Sequence, residues 1–192
     1  MILSDSAILA AMELGDIVVD PFDRLRLGGN SYDVRLAPTL LTYHPLEGNT
    51  PGPYPMDAMQ EHSCFEHQVL RDGFVLVPGV LYLAATLEYT ETHQHVPYLD
   101  GKSSIGRLGI FIHTTAGRGD VGFCGHWTME ISVVHPVRVY AGMPIGQLTF
   151  HSVEGEVLSR YANKPGAKYT QGRMEKPMPL PSMMWKNFQG KP

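Results

Sequence analysis

The amino-acid sequence predicts a mainly β fold, a distorted barrel with a short N-terminal helix and a C-terminal tail. Short segments rich in β-branched and aromatic residues recur along the chain, and Pro and Gly separate them. This pattern is typical of the strands of a sandwich or barrel. The predicted strands are residues 17–19, 32–36, 74–77, 80–83, 109–113, 127–134, 137–140 and 145–150.

One helix is predicted before the first strand. Ser4 or Asp5 can cap its N-terminus, and Gly15 can end it. The residues between them carry an apolar stripe at helical spacing, which consists of Ile8, Leu9 and Met12.

Two segments have no clear period. Residues 45–66 are predicted to leave the barrel and to hold a short helix near residues 57–60. From about residue 160 the chain is basic and loop-like, and residues 176–181 are rich in Pro. Because such a tail cannot form a core of its own, we expect it to close over this barrel or over a neighbouring subunit. No linker interrupts the chain, so residues 1–192 are predicted to form a single domain.

The composition argues against several classes of protein. A hydrophobic content of 43% and a charged content of 18% are those of an ordinary globular protein. No apolar run reaches the roughly 20 residues of a membrane-spanning helix. The N-terminus has no signal-peptide pattern, so we expect a cytoplasmic location. A net charge of −4 argues against sequence-independent nucleic-acid binding, although a few cations suffice for a small phosphorylated ligand.

A glycine-rich segment at 101–107 combines two hydroxyls with two cations. Gly101 and Gly106 flank the sequence Lys102-Ser103-Ser104, and Arg107 follows. Backbone N–H groups, hydroxyls and positive charge can together bind phosphate oxygens. The order of residues is not that of a P-loop, and a solvent-exposed turn explains the same residues equally well.

A second glycine-rich turn precedes the longest predicted strand. In residues 116–123, three glycines surround Arg118 and Asp120, which allows a ligand to approach the main chain closely. In the strand that follows, period-two alternation places Thr128 and Glu130 on the face opposite Met129. Glu130 therefore either points to solvent, which the pattern alone favours, or lines a polar cavity.

The order and spacing of these segments resemble those of the dCTP deaminase family. The family's signature runs G-R-S-S-x-A-R-x-G, then T-A-x-x-x-D-x-G, then G-x-x-x-L-E, and it corresponds here to residues 101–109, 115–122 and 125–130. Further likeness covers most of the chain outside residues 45–66 and the last dozen or so. The resemblance implies a dUTPase-like distorted β-barrel. Three residues depart from the signature: Lys102 replaces Arg, Gly106 replaces Ala and Val121 replaces Pro.

The resemblance also implies hydrolytic deamination of dCTP to dUTP and ammonia. Zinc deaminases carry H-x-E and P-C-x-x-C motifs, which this sequence lacks, so we expect no zinc and a metal-free attack of water at cytosine C4. Glu130 is then the general base, and Ser103 with the carbonyl of Ala116 positions the water. Arg107 either stabilises the ionised Glu130 or binds a phosphate.

Other residues are assigned to substrate binding by the same resemblance. Asp120 is expected to meet the deoxyribose 3′-hydroxyl, and the backbone of Thr128 to read the base edge. The remaining expected contacts to the nucleotide are Lys102, Ser103, Ser104, Arg107, Met129, Glu130, Tyr161, Lys168 and Gln171. Mg²⁺ is expected on the substrate phosphates, with no protein site for a metal. The family's homotrimeric assembly implies active sites that two chains share.

Two other functions stay open from the sequence. A dUTP pyrophosphatase, or a bifunctional enzyme that forms dUMP from dCTP, could use the same fold, with Asp120 activating a water. A nucleotide-binding regulator without catalysis is the second alternative, and Lys102 and Val121 are the hints for it. His93 and His95 are predicted to be surface residues rather than metal ligands, because no third ligand is nearby. His113 is predicted to be a hydrogen-bonded core residue.

Overall fold

The computed structural model describes residues 1–44, 55–112 and 116–189, and over these residues the fold is a nearly closed, barrel-like sheet. Its helices and strands are α1 (Asp5–Glu13), β1 (Ile17–Asp20), β2 (Tyr32–Tyr43), β3 (Cys64–Gln68), β4 (Phe74–Leu76), β5 (Tyr82–Thr92), β6 (His95–Gly101), α2 (Ser103–Gly106), β7 (Ile110–Ile112), β8 (Cys124–Val133), β9 (Val137–Val139) and β10 (Pro144–Ser152). Single 3₁₀ turns occupy Arg24–Arg26, Tyr161–Asn163 and Met184–Phe188.

The strands pair antiparallel in one large sheet and one small one. In the part of the chain that the structure describes, the large sheet has eight strands, six of them in the order β6-β10-β2-β5-β8-β7. The strand β1 pairs with β5 and β3 pairs with β2, while β4 and β9 form a separate two-stranded sheet. The predicted mainly β, distorted barrel with a short N-terminal helix is confirmed.

The core lies between these strands and follows the predicted alternation. In β8, Met129 and Ile131 are fully buried, whereas Glu130 between them is exposed. In β10, Leu148 and Phe150 are fully buried at the same two-residue spacing. Apolar residues at every second position therefore face the interior, as expected for strands with one covered face.

The N-terminal helix has the predicted ends. The Ser4 hydroxyl caps α1 by accepting a hydrogen bond from the N–H of Ala7 (3.4 Å). Ile8 and Ala11 face the core, and Gly15 follows the helix with a φ of 75°, a conformation that favours glycine.

Several elements differ from the prediction. The strands β3, β6 and the second half of β5 were not predicted, because β3 is polar and β6 contains Pro97. Pairing of β3 with β2 and of β6 with β10 stabilises both strands, and local sequence does not reveal such pairing. The predicted helix near residues 57–60 is wrong: the segment is a turn in which the Gln60 N–H donates to the Asp57 carbonyl (3.1 Å).

The C-terminal tail packs against the barrel of its own chain. It has no strand over its described residues, and it is attached mainly by hydrogen bonds that its backbone N–H groups donate. Two of these reach side-chain hydroxyls of the barrel: Leu180 donates to Thr128 (2.9 Å) and Ser182 to Tyr43 (2.9 Å). Within the tail, Met183 donates to the Tyr169 hydroxyl (3.0 Å). No helix in the described residues has the length and apolar character needed to cross a membrane.

Candidate active site

A cavity of about 630 Å³ lies between β5, β8, the turn before β8 and the C-terminal tail. Five of the residues predicted from the sequence line it: Ala116, Asp120, Thr128, Glu130 and Tyr161. The lining also contains aromatic side chains from four different parts of the chain, namely Tyr43, Phe123, Trp127 and Tyr169. The cavity can therefore hold a flat ring between apolar walls and place it against a carboxylate.

The strand β8 brings Glu130 and Thr128 to one wall of the cavity. Glu130 pairs with Leu83 of β5, and both side chains line the cavity. Glu130 therefore lines the cavity and is exposed to the solvent that fills it. Met129 points the other way and is fully buried in the core, so only its backbone can face a ligand here. Thr128 is half-buried, and its hydroxyl accepts the tail's Leu180 N–H.

The turn before β8 is fixed by close backbone contacts to β6. The Leu99 N–H donates to the Gly117 carbonyl (2.7 Å), and the Gly119 N–H donates to the Pro97 carbonyl (2.9 Å). A Cβ on Gly117 would lie 2.3 Å from the Leu99 oxygen, so glycine is required for this close approach. The turn therefore presents the backbone of Ala116 and the side chain of Asp120 to the cavity from a rigid position.

Asp120 carries a counter-ion in this structure. Its Oδ2 lies 2.7 Å from the Lys164 Nζ, and both side chains are about half exposed. An exposed pair of this kind contributes little to stability, on the order of 1 kcal/mol or less. The Asp120 carboxylate can therefore exchange this lysine for a ligand at small cost.

The predicted phosphate-binding segment lies outside the cavity of its own chain. It forms the short helix α2 rather than an open loop, with Ser103, Ser104 and Arg107 exposed to solvent. The Lys102 Nζ lies 2.5 Å from Asp33 Oδ1 on β2. Within one chain, the structure does not bring these four residues together with Glu130.

Three tail residues assigned to the nucleotide bind other parts of the chain here. The Tyr161 hydroxyl accepts the backbone N–H groups of Lys168 (3.3 Å) and Tyr169 (3.2 Å). The Lys168 ammonium donates to the Asn187 side chain. Gln171 is 7% exposed and does not line the cavity; its side-chain oxygen accepts the His126 N–H, which attaches the tail to β8.

Tyr43 and His126 are among the cavity-lining residues that the sequence did not identify. Tyr43 is the last residue of β2. Burial raises the pKa of its hydroxyl, and the negative charge of the nearby Glu130 raises this pKa further, whereas the hydrogen bond from the Ser182 N–H lowers it. His126 donates from Nδ1 to the Thr86 carbonyl (3.0 Å), and its Nε2 has no hydrogen-bond partner among the described residues. Period-two spacing from Glu130 could have identified His126, whereas only the tertiary structure brings Tyr43 to this wall.

Further histidines lie outside the cavity, among them His93 and His95. The His93 Nε2 lies 2.8 Å from Glu91 Oε2, and residues 1–44, 55–112 and 116–189 contain no cluster of three or more His, Cys, Asp or Glu side chains that could hold a metal ion. His113 and Thr115 lie outside the described residues.

Comparison with known proteins shows the family of this chain. A family model described as dCTP deaminase-like matches residues 2–153 of the 192. The chain belongs to the dCTP deaminase-like family. The matched region contains the barrel, α2 and both glycine-rich segments, whereas the tail residues that line the cavity lie beyond it.

Relatives of similar length match along almost the whole chain. A protein of Cytophaga hutchinsonii named dCTP deaminase, dUMP-forming is 42% identical over 187 residues, which cover 95% of this chain and 99% of that protein. A Leptospira biflexa protein of the same name is 42% identical over 192 residues, which cover both chains completely.

A solved structure supports the fold. The crystal structure of 2′-deoxycytidine 5′-triphosphate deaminase from Agrobacterium tumefaciens superposes with a TM-score of 0.61 at 24% identity. The match covers 79% of this chain and 48% of that one, so this chain corresponds to about half of the Agrobacterium protein.

Proposed function

We propose that this chain catalyses the hydrolytic deamination of dCTP, with Glu130 as the group that transfers protons. The observation that carries the proposal is the position of Glu130, on the wall of an aromatic-lined cavity beside Thr128, Asp120 and Ala116. Membership of the dCTP deaminase-like family and two relatives that bear the name dCTP deaminase support the choice of substrate.

In the proposed reaction, one carboxylate serves first as base and then as acid. Glu130 takes a proton from a water molecule, and the resulting hydroxide adds to C4 of cytosine. Glu130 then returns the proton to the 4-amino group, which leaves as ammonia, while the proton of the new C4 hydroxyl passes to N3 as the C4 carbonyl forms. The Ala116 carbonyl and the Ser103 hydroxyl would orient the water, and the backbone of Thr128 would read the base edge.

The proposal requires that two chains share each site. Ser103 and Ser104 are on α2, and Lys102 and Arg107 flank it. All four lie outside the cavity of their own chain, and three of them are exposed. We propose that a homotrimer brings α2 of one chain to the cavity of the next, where Arg107 would neighbour Glu130 or a phosphate. Light scattering should then give three times the 21.3 kDa chain mass, and a monomer at micromolar concentration would contradict the shared site.

We further propose that the product released is dUMP. The sequence favoured dUTP as product and kept dUMP formation as the alternative; the name "dUMP-forming" of relatives 42% identical to this chain supports the alternative. Cleavage would then add a second water to the α-phosphate and release pyrophosphate, with Asp120 as the candidate to activate that water. Mg²⁺ bound through the phosphate oxygens would neutralise part of the negative charge of the triphosphate, and no zinc is proposed.

Product analysis tests the overall reaction. Incubation with dCTP and Mg²⁺, followed by separation of dUTP, dUMP, pyrophosphate and ammonia, should give ammonia and dUMP in equal amounts. Accumulation of dUTP would show that the enzyme deaminates dCTP but does not cleave the triphosphate. Release of neither ammonia nor pyrophosphate from dCTP or dUTP would favour a regulator that binds nucleotides without converting them.

The role of Glu130 is tested by Glu130→Gln, which keeps the shape of the side chain but removes the basic oxygen. Loss of one general acid–base group lowers rates by about 10²–10⁴-fold, so turnover should fall by at least this factor. Affinity for dCTP, measured by calorimetry, should change little. Glu66→Gln, at an exposed glutamate of β3, is the matched control. Near-parental deamination by Glu130→Gln would overturn the mechanism.

A further inference from the structure

We propose that Arg118 binds the phosphate chain of the nucleotide. This inference rests on the proposed function and adds a residue to the substrate-binding site. Arg118 lines the cavity in the turn before β8, two residues from Asp120, and its side chain is exposed.

The charges that one chain contributes to the cavity favour this role for Arg118. Over the described residues, the charged side chains that line the cavity are Arg118, Asp120 and Glu130. Lys164 already pairs with Asp120, but the carboxylates of this wall repel phosphate oxygens while Arg118 attracts them. Arg118 is therefore the group of this wall that can attract the substrate's negative end.

The guanidinium of Arg118 is also available. Within residues 1–44, 55–112 and 116–189, it has no ion pair and no hydrogen bond, whereas several other cations of the site are already paired. The pairs are Lys102 with Asp33, Lys164 with Asp120, and Lys168 with Asn187. A phosphate can therefore bind Arg118 without breaking an existing contact.

The backbone holds Arg118 in place from both sides. Gly117 and Gly119 hydrogen-bond to β6, and a Cβ on Gly119 would lie 2.7 Å from the Trp127 ring. Neither neighbour can thus carry a side chain without displacing the structure, and Arg118 is the single side chain that this part of the turn presents. A cation on a fixed backbone loses less freedom when it binds, and guanidinium can donate two parallel hydrogen bonds to phosphate oxygens.

The test compares Arg118→Gln and Arg118→Lys with the parent and with Arg71→Gln. Arg71 is an exposed arginine outside the cavity, so its substitution makes the same change in net charge without touching the site. Calorimetry with the α,β-imido analogue of dUTP and Mg²⁺ measures affinity without turnover. KM and kcat for dCTP are measured in parallel, at low and at high salt.

We expect Arg118→Gln to weaken the analogue's affinity and to raise KM by about 10- to 100-fold, as for loss of a charge-assisted hydrogen bond. The kcat should change far less, because the reacting atoms are at Glu130. Arg118→Lys should fall between parent and Arg118→Gln, since it keeps the charge but loses the paired donors. The difference between parent and Arg118→Gln should shrink as salt is added.

Three results would overturn the inference: unchanged affinity and KM, a change equal to that of Arg71→Gln, or equal defects in the Gln and Lys variants that do not depend on salt. A fall in kcat without a change in KM would likewise assign Arg118 to the reacting atoms instead. If the parent binds the analogue but does not deaminate dCTP, the proposed function fails, while the affinities still decide the role of Arg118.

Discussion

Gln171 attaches the C-terminal tail to the barrel, and its replacement should release the tail. Its backbone N–H donates to the Cys124 carbonyl (3.1 Å), and its side-chain oxygen accepts the His126 N–H (3.1 Å). The side-chain nitrogen donates to the Met178 carbonyl (3.1 Å), seven residues further along the tail. The residue is only 7% exposed, so water does not replace these bonds without movement of the chain.

The expected effect of Gln171→Ala follows from the two side-chain hydrogen bonds. Each contributes about 0.5–1.5 kcal/mol net, and leaving a buried partner unsatisfied costs about 1–3 kcal/mol. The tail can move to hydrate the Met178 carbonyl, whereas the His126 N–H is buried on β8. We therefore expect tail docking to weaken by about 2–4 kcal/mol, with little effect on unfolding of the barrel itself.

Hydrogen exchange measured by mass spectrometry is the suitable assay. In the parent, the backbone N–H groups of Leu180, Ser182 and Met183 are hydrogen-bonded, so exchange in the tail should be slow. In Gln171→Ala, exchange across residues 172–189 should become about 30- to 1000-fold faster, which corresponds to the loss of docking free energy. Gln60→Ala, at an exposed glutamine in a turn, is the matched control.

Unchanged exchange in the tail of Gln171→Ala would refute this reasoning, because the two side-chain bonds would then contribute nothing to docking. The same variant separates two roles for Gln171. If Gln171 only docks the tail, the rise in KM for dCTP should be proportional to the increase in hydrogen-exchange rates of the tail. A large rise in KM without faster exchange would indicate that Gln171 contacts the nucleotide directly.

Two further predictions concern the turn before β8 and the cysteines. Gly117→Ala should lower the free energy of unfolding by about 1–3 kcal/mol in urea, because its Cβ would lie 2.3 Å from the Leu99 oxygen. Gly166→Ala, with no atom within 4 Å of the new Cβ, should change it by less than about 0.5 kcal/mol, and equal effects would contradict the steric argument. Burial raises the pKa of the Cys64 and Cys124 thiols, so at neutral pH both should react with Ellman's reagent far more slowly in the folded protein than in urea. Rapid reaction of one thiol per folded chain would be inconsistent with that burial.

Period-two alternation was sufficient to predict much of the barrel. It placed Glu130 and Thr128 on the face opposite Met129, and this is the face that lines the cavity. The motif spacing also identified the turn at residues 116–123, where close backbone contacts require glycine. These features are local, since they depend on which side of a strand a residue occupies and on whether a Cβ fits.

The tertiary structure alone decided the rest of the site. The sequence of α2 was compatible with an open loop, and nothing local showed that its hydroxyls lie outside the cavity of their own chain. Tyr43 reaches the cavity from the end of β2 and Tyr169 from the tail, and backbone N–H groups of the tail donate to both hydroxyls. Every residue except proline has the same backbone N–H donor, so the position where the tail docks cannot be predicted from the sequence. The periodicity of apolar residues within a strand or helix can be recognised in the sequence, whereas contacts between distant elements form only when the barrel closes.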